Sequence, residues 1–239
     1  MRYRLLQARD PDDPVREEER IAFAARLGVE DTAVVPFDMI ATDPHPERVC
    51  HDVDALLVGG AGRYGVQDDY PWITRMIDRL GEIADTGTPM FASCFGFQAL
   101  VMAMGGQVEP LPGHEEVGTF EIERTNESDT DPIFGPLPRR FAVQLGHKDH
   151  ATTFPESCIR LAFSELCAAQ ALRIPGKPVW ATQFHPELTL TENLSRLDRY
   201  RKEYIAAFGL ETYNALVRGF HEAPIADQLL SRFAMELHT

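Results

Sequence analysis

Pro89-Met90-Phe91-Ala92-Ser93-Cys94-Phe95-Gly96-Phe97-Gln98-Ala99-Leu100-Val101-Met102-Ala103-Met104-Gly105-Gly106 is the stretch that decides the fold. Its first part is a short apolar run after a proline, as expected of a strand buried on both faces of a parallel sheet. From Phe95 to Met104 the pattern is helical, and Gly105-Gly106 closes it. The switch from strand to helix falls at Cys94. A tight turn there lifts one side chain above the carboxyl edge of the sheet, with Gly96 leaving room for close backbone approach. This is the geometry of a nucleophile elbow, with a thiol in place of a hydroxyl.

The same alternation extends outward. Tyr3 to Gln7 reads as a strand, Arg16 to Leu27 as a helix ended by Gly28, and Thr32 to Phe37 as a strand. Asp54-Ala55-Leu56-Leu57-Val58 is nearly all apolar and stops at Gly59-Gly60. Tyr70 to Ala84 places Ile73, Met76, Ile77, Leu80 and Ile83 on one side of a helix. Strands alternating with helices imply an α/β doubly wound sheet. Gly118–Arg124, Phe141–Leu145, Ile159–Phe163, Ala168–Leu172 and Val179–Phe184 read as further strands, some of them antiparallel additions. From Leu190 on the chain reads as helical, with a break near Glu222-Ala223-Pro224. One domain over 1–239, with a helical C-terminal extension from about 190, accounts for the whole pattern.

Composition narrows the function. With 44% hydrophobic and 25% charged residues, the 239-residue chain has the material for one sizeable core. Its formal net charge of -14 repels phosphate backbones and anionic lipids, which argues against nucleic acid or a membrane surface as partner. The start, Met1-Arg2-Tyr3-Arg4, lacks the apolar run of a signal peptide, and a cytoplasmic location is expected. Cys50, Cys94, Cys158 and Cys167 form no C-x-x-C pair, so reduced thiols are expected. Three of them read as packing residues.

Cys94 differs by its setting. The first free amides and the dipole of the following helix favour a thiolate. The Phe95 amide points where an oxyanion would develop, and a second donor is available at the Gly59-Gly60 strand tip. One such donor is worth about 3–4 kcal/mol of barrier. A base must take the thiol proton and return it to the leaving group. His185 suits this role, since it follows the apolar run Val179–Phe184. Glu187 lies two residues on across Pro186, within reach of one ring nitrogen, where it fixes the tautomer. Gly146-His147-Lys148-Asp149-His150 holds two more histidines and an aspartate, but no further ligand stands out. It reads as a solvated loop that lines a substrate pocket, with no metal. Gly62-Arg63-Tyr64-Gly65 lacks the G-x-x-x-x-G-K-[ST] pattern and is not a phosphate loop.

These residues resemble the class I (triad) glutamine amidotransferases, in particular stand-alone proteins similar to the amidotransferase domain of GMP synthase. The resemblance spans roughly Asp54 to Leu188. It rests on Gly59-Gly60, Cys94-Phe95-Gly96-Phe97-Gln98, Gly105-Gly106-Gln107-Val108, Glu116-Val117-Gly118, Gly146-His147-Lys148-Asp149 and Ala181-Thr182-Gln183-Phe184-His185-Pro186-Glu187. It implies a flavodoxin-like, mostly parallel sheet with flanking helices and a Cys94-His185-Glu187 triad. Gly60 and Phe95 would supply the oxyanion amides. Gln98 would help hold the substrate, together with Gly59, Tyr64, His147 and Lys148. The implied chemistry is hydrolysis of glutamine or a γ-glutamyl compound through a cysteinyl thioester, without cofactor. Lys148 stands where Ser-His-Gly-Asp is common, which suits a γ-glutamyl peptide or a modified amide. No synthetase module follows residue 188, so ammonia would be released or passed to a synthetase subunit on another chain. The other reading is a non-catalytic binding or regulatory member of the fold.

Overall fold

The structure is a computed structural model and describes residues 1–238. In chain order the elements are β1 (Tyr3–Gln7), α1 (Val15–Leu27), β2 (Val34–Asp38), α2 (Pro46–Val49), β3 (Ala55–Val58), α3 (Pro71–Asp85), β4 (Met90–Ser93) and α4 (Phe95–Ala103). Then come β5 (Gln107–Pro110), β6 (Glu116–Arg124), β7 (Arg140–His147), β8 (Asp149–Thr153), β9 (Ile159–Phe163), β10 (Ala171–Ile174) and β11 (Val179–Thr182). Helices α5 (Leu190–Arg199), α6 (Arg201–Phe208), α7 (Leu210–Gly219) and α8 (Leu229–Glu236) complete the chain.

A nine-stranded sheet runs in the order β2-β1-β3-β4-β11-β10-β9-β6-β7. The first part, β2-β1-β3-β4-β11, is parallel throughout and has the 2-1-3-4-5 order of flavodoxin-like folds. From β11 onward every pairing is antiparallel, and β5 and β8 pair as a separate ribbon. The antiparallel part is therefore larger than the small addition the sequence suggests. Gln107–Pro110 and Asp149–Thr153 did not read as strands because their polar side chains hide the two-residue period.

Pleating sends successive side chains of β3 to opposite layers. Ala55 and Leu57 pack with Phe23 and Leu27 of α1 and Leu229, Leu230 and Phe233 of α8. Leu56 and Val58 pack with Met76, Leu80 and Ile83 of α3 and Leu100 of α4. Burial on both faces is why β3, β4 and β11 are apolar at almost every position. Helix α3 begins at Pro71, whose fixed φ suits the first helical position, and buries Trp72, Ile73, Met76 and Leu80 against the sheet. Helix α5 opens with a capping box between Thr189 and Glu192, which fixes where the extension starts. Among the described residues no helix is long and apolar enough to cross a membrane.

Candidate active site

Strands β4 and β11 are parallel neighbours with Ser93 beside Thr182. Cys94 and the 183–187 segment therefore leave the sheet side by side at its carboxyl edge. The Cys94 amide donates to the Thr182 carbonyl oxygen at 2.8 Å, pinning the elbow to β11. Cys94 has φ 51° and ψ −104°, an unusual conformation for a residue with a Cβ. Such strain costs on the order of 1–3 kcal/mol and persists where the surroundings enforce it. They do so here through Gly96: a Cβ there would lie 2.9 Å from the Val58 carbonyl oxygen and 2.8 Å from Val58 Cγ1. Helix α4 thus starts in contact with β3, and the turn into it has no freedom to relax. No side chain caps α4, whose first amides open toward the thiol.

His185 is buried, and its Nδ1 lies 2.6 Å from Glu187 Oε1. The turn across Pro186 is closed by the Leu188 amide, which donates to the His185 carbonyl oxygen at 3.2 Å. Burial opposes a charged ring, but the Glu187 carboxylate and the Cys94 sulfur outweigh it and push His185 up to about 9. Glu187 is itself fully buried. Burial raises its carboxyl, but His185 and Arg196 more than compensate and hold it below the usual range. Arg196 Nη1 stands 3.7 Å from the same Glu187 oxygen. The carboxylate therefore orients the ring and favours its charged form.

A cavity of about 640 Å³ opens above Cys94 and His185. Gly60, Ala61, Gly146, His147 and Lys148 form its sheet side, while Asn193, Arg196, Tyr200, Glu203, Tyr204 and Phe208 reach over it from α5 and α6. Phe220, just after α7, adds to this cover. The extension is thus a wall of the site. Asn193, Arg196, Tyr200 and Tyr204 carry no motif; only the first two lie in α5, which opens three residues after Glu187, while Tyr200 caps it and Tyr204 lies in α6.

The structure brings Cys94, His185, Glu187, Gly60, Phe95, His147 and Lys148 to one sheet edge or its cavity. Gly59, Gln98 and Tyr64 do not line that cavity. Gly59 faces Glu19, whose Oε1 would lie 2.5 Å from an added Cβ. Gln98 is buried, and its Nε2 donates to the Asp149 carbonyl oxygen at 3.0 Å and to Gln183 Oε1 at 3.2 Å. Gln183 Nε2 in turn approaches Cys94 Sγ at 4.0 Å. Tyr64 donates to Asp10 Oδ1 at 2.7 Å and packs edge-on against Trp72.

One reading is corrected. The segment 146–150 is not a solvated loop, because β7 runs to His147 and β8 begins at Asp149. His147 and His150 are both buried, with ring centroids 4.8 Å apart. Two further residues escaped the sequence reading. Glu19, fully buried on α1, accepts from Arg9 Nε at 3.2 Å, from Arg9 Nη2 at 3.1 Å and from the Gly60 amide at 3.1 Å. Arg9 also pairs with Asp13 at 3.3 Å and lines the cavity. Glu19 sits in a run of glutamates, so its burial had no sequence signal.

A family model described as glutamine amidotransferase class-I matches residues 23–199. This chain belongs to the class I glutamine amidotransferase family. Among its relatives, the glutamine-hydrolyzing GMP synthase subunit of Methanosarcina barkeri is 32% identical over 167 residues, covering 68% of this chain and 77% of the relative. The protein of the same name from Archaeoglobus fulgidus is 27% identical over 72% of this chain and 79% of its own length. A glutamine amidotransferase structure from Thermotoga maritima has TM-score 0.72 at 20% identity, covering 99% of this chain and 97% of that one. One from Methylobacillus flagellatus has TM-score 0.66 at 20% identity, covering 99% and 92%. At such identities the structures speak to the fold. They match this glutamine amidotransferase over its whole length, helical extension included.

Proposed function

We propose that this amidotransferase hydrolyses the γ-amide of glutamine or of a γ-glutamyl compound, with Cys94 as nucleophile, His185 as general acid and base, and Glu187 as the group that orients and charges His185. The observation that carries this reading is the meeting of a strained Cys94 with the His185–Glu187 pair, 2.6 Å apart, at the floor of the cavity.

In the first step His185 takes the Cys94 thiol proton, Sγ forms a bond to the γ-carbonyl carbon, and the carbonyl π electrons move to oxygen. In this scheme the Phe95 amide, at the uncapped start of α4, stabilises that oxyanion. Collapse breaks the carbon–nitrogen bond, and His185 gives its proton to the departing nitrogen. Water then attacks the γ-glutamyl thioester. His185 takes a proton from that water, the carbon–sulfur bond breaks, and glutamate leaves. Gly60 is the second oxyanion donor in this scheme. Its amide is held by Glu19 in the free protein, so it serves the oxyanion by exchanging one partner for another.

A cavity of about 640 Å³ falls in the range of roughly 300–1,000 Å³ typical of pockets for larger ligands. It leaves room beyond a single glutamine, and Tyr204, Phe208 and Phe220 are among the aromatic residues that line it. This favours γ-glutamyl amides of larger amines. A second reading, in which the chain supplies ammonia to a separate synthetase, is favoured by the likeness to the glutamine-hydrolyzing subunits of GMP synthase. The test is to incubate the protein with glutamine and with a series of γ-glutamyl peptides and anilides, and to measure glutamate. Release that disappears in Cys94→Ala supports the proposal. No release from any substrate by a folded protein overturns it. Glutaminase activity seen only after a synthetase is added selects the second reading.

A further inference from the structure

Behind the cavity wall lies a second set of reactive side chains that the proposed chemistry does not use. Glu116 opens β6, His150 lies in β8, and Cys167 lies in the connection from β9 to β10. Glu116 is fully buried, with His150 3% and Cys167 1% exposed. One donor atom from each lies within 4.8 Å of the other two.

His150 makes this cluster more than a chance meeting. By hydrogen-bond geometry neither of its ring nitrogens is partnered, although the His114 backbone lies near enough to favour its protonated form. A neutral imidazole carries one N–H and one lone pair, and burying either unmet costs roughly 1–3 kcal/mol. Buried polar groups in native folds are ordinarily satisfied, so such a ring demands an explanation. Here it is directed at a carboxylate and a thiol, whose donor atoms complete a nitrogen, oxygen and sulfur set.

We propose that Glu116, His150 and Cys167 bind one zinc-class divalent cation, with a water as fourth ligand. The chemistry of the donors chooses the ion. Thiolate and imidazole together favour zinc or its first-row neighbours over magnesium and calcium, which prefer oxygen alone. A doubly charged ion beside one thiolate and one carboxylate leaves no net charge in a buried site. Burial pushes the free Cys167 thiol up to about 12, so binding would release its proton to solvent. Tetrahedral bonds of about 2.0–2.3 Å put ligand atoms roughly 3.5 Å apart, so the set closes by small side-chain rotations. The contacts given up are those of Cys167 Sγ to the Ala169 carbonyl oxygen at 3.4 Å and of the His150 ring to the His114 backbone.

The surroundings suit a held ligand. Glu116 Oε1 accepts from Ser164 Oγ at 2.7 Å, and Oε2 accepts from Gln170 Nε2 at 2.6 Å and meets His147 Nε2 at 2.9 Å. Such partners fix a ligating carboxylate and are as much a part of a metal site as the ligands. Exposed residues Gly113 and His114 precede Glu116, and Glu165 and Ala168 flank Cys167, so each of these two ligands adjoins surface chain. His147 joins the site to the cavity, which it lines. The ion would therefore stiffen the cavity wall without touching the reacting atoms.

The experiment uses the full chain after treatment with a chelator, titrated with zinc and with cobalt(II). The expected result is one equivalent bound, a cobalt–thiolate charge-transfer band, and a rise in Tm of roughly 5–10 °C at a hundredfold excess over Kd. Cys167→Ser and His150→Gln, each shown to be folded, should lose the band and weaken zinc at least tenfold, while Cys94→Ala should keep both. The proposal is overturned if the wild type binds no stoichiometric ion, if the folded variants bind as it does, or if the band disappears with Cys94 instead of Cys167. Loss of glutamate release in Cys94→Ala with the band intact separates this site from the catalytic reading.

Discussion

The amide of Gly60 donates to the buried carboxylate of Glu19 at 3.1 Å, and the same oxygen is gripped by the Arg9 guanidinium. The strand tip at the mouth of the cavity is thereby tied to α1. Removing one partner of a buried ion pair leaves the other uncompensated, which costs about 3–5 kcal/mol. Glu19→Ala should therefore destabilise the protein by that amount in urea denaturation. Glu19→Gln keeps an acceptor for Gly60 and for Arg9, whose charge Asp13 still meets, and should cost less than Glu19→Ala. If the Gly60 amide serves the oxyanion, Glu19→Gln will change kcat more than KM.

The Cys94 backbone stores strain that a residue without a Cβ would not feel. Cys94→Gly should lose all glutamate release and yet be more stable than the wild type by about 1 kcal/mol. That figure is the strain relieved less the extra chain entropy glycine loses on folding, about 0.5–1 kcal/mol. Thermal unfolding of Cys94→Gly beside Cys94→Ala would reveal it, with Cys94→Ala keeping the strain.

The His185–Glu187 pair has a signature in pH. An unfolded imidazole titrates near 6.5. The folded ring is pushed up to about 9, so the native state holds the proton more tightly than the unfolded chain does. This contribution to stability is fully present below about pH 6.5 and is lost as pH rises through about 9. In Glu187→Gln the ring loses its carboxylate, and the loss of stability across that window should be much smaller. Turnover should fall by about 10²–10⁴, as when a triad loses its orienting carboxylate. Urea midpoints of both proteins from pH 6 to 10 would check the first part, and kcat the second.

Gly96 has no room for a side chain, because backbone and side-chain atoms of Val58 lie within 2.9 Å of where a Cβ would be. Gly96→Ala must push α4 off β3, at a cost of about 1–3 kcal/mol typical of overpacking. It should also slow turnover, since the elbow moves with α4. A stability close to that of the wild type would contradict the packing described above.

The helical cover makes a prediction about substrate size. Phe208→Ala and Phe220→Ala remove aromatic surface from the cavity lining. Burying such a side chain is worth about 1.5–3 kcal/mol, and 1.4 kcal/mol is tenfold in affinity. KM for a γ-glutamyl anilide should rise about tenfold in either variant, while KM for glutamine should change less than twofold. Equal effects on both would assign these residues to the fold rather than to the leaving amine.

Cys94, His185 and Glu187 stood out in the sequence because each follows a mainly apolar run, and a run of that kind ends at the edge of a parallel sheet. Local chemistry was enough there. Tyr64 and Gln98 were legible as residues near motifs, but not as to direction: one packs on Trp72 and the other hydrogen-bonds Gln183 beneath the cavity. His147 and His150 looked polar and solvated, and the pairing of β5 with β8 together with the burial of Glu116 put them inside.

By itself the chain determined the alternation of strands and helices, the turn that strains Cys94, and the His185-Pro186-Glu187 turn, because these depend on neighbours a few positions apart. The tertiary structure decided what those groups meet. Glu19 is far from Gly60 in sequence, Arg196 sits on a helix beyond the motif, and Glu116, His150 and Cys167 come from separate segments. No periodicity records such meetings. They follow from which sheet edge and which helix the packing of apolar faces brings together, and only the folded chain expresses that.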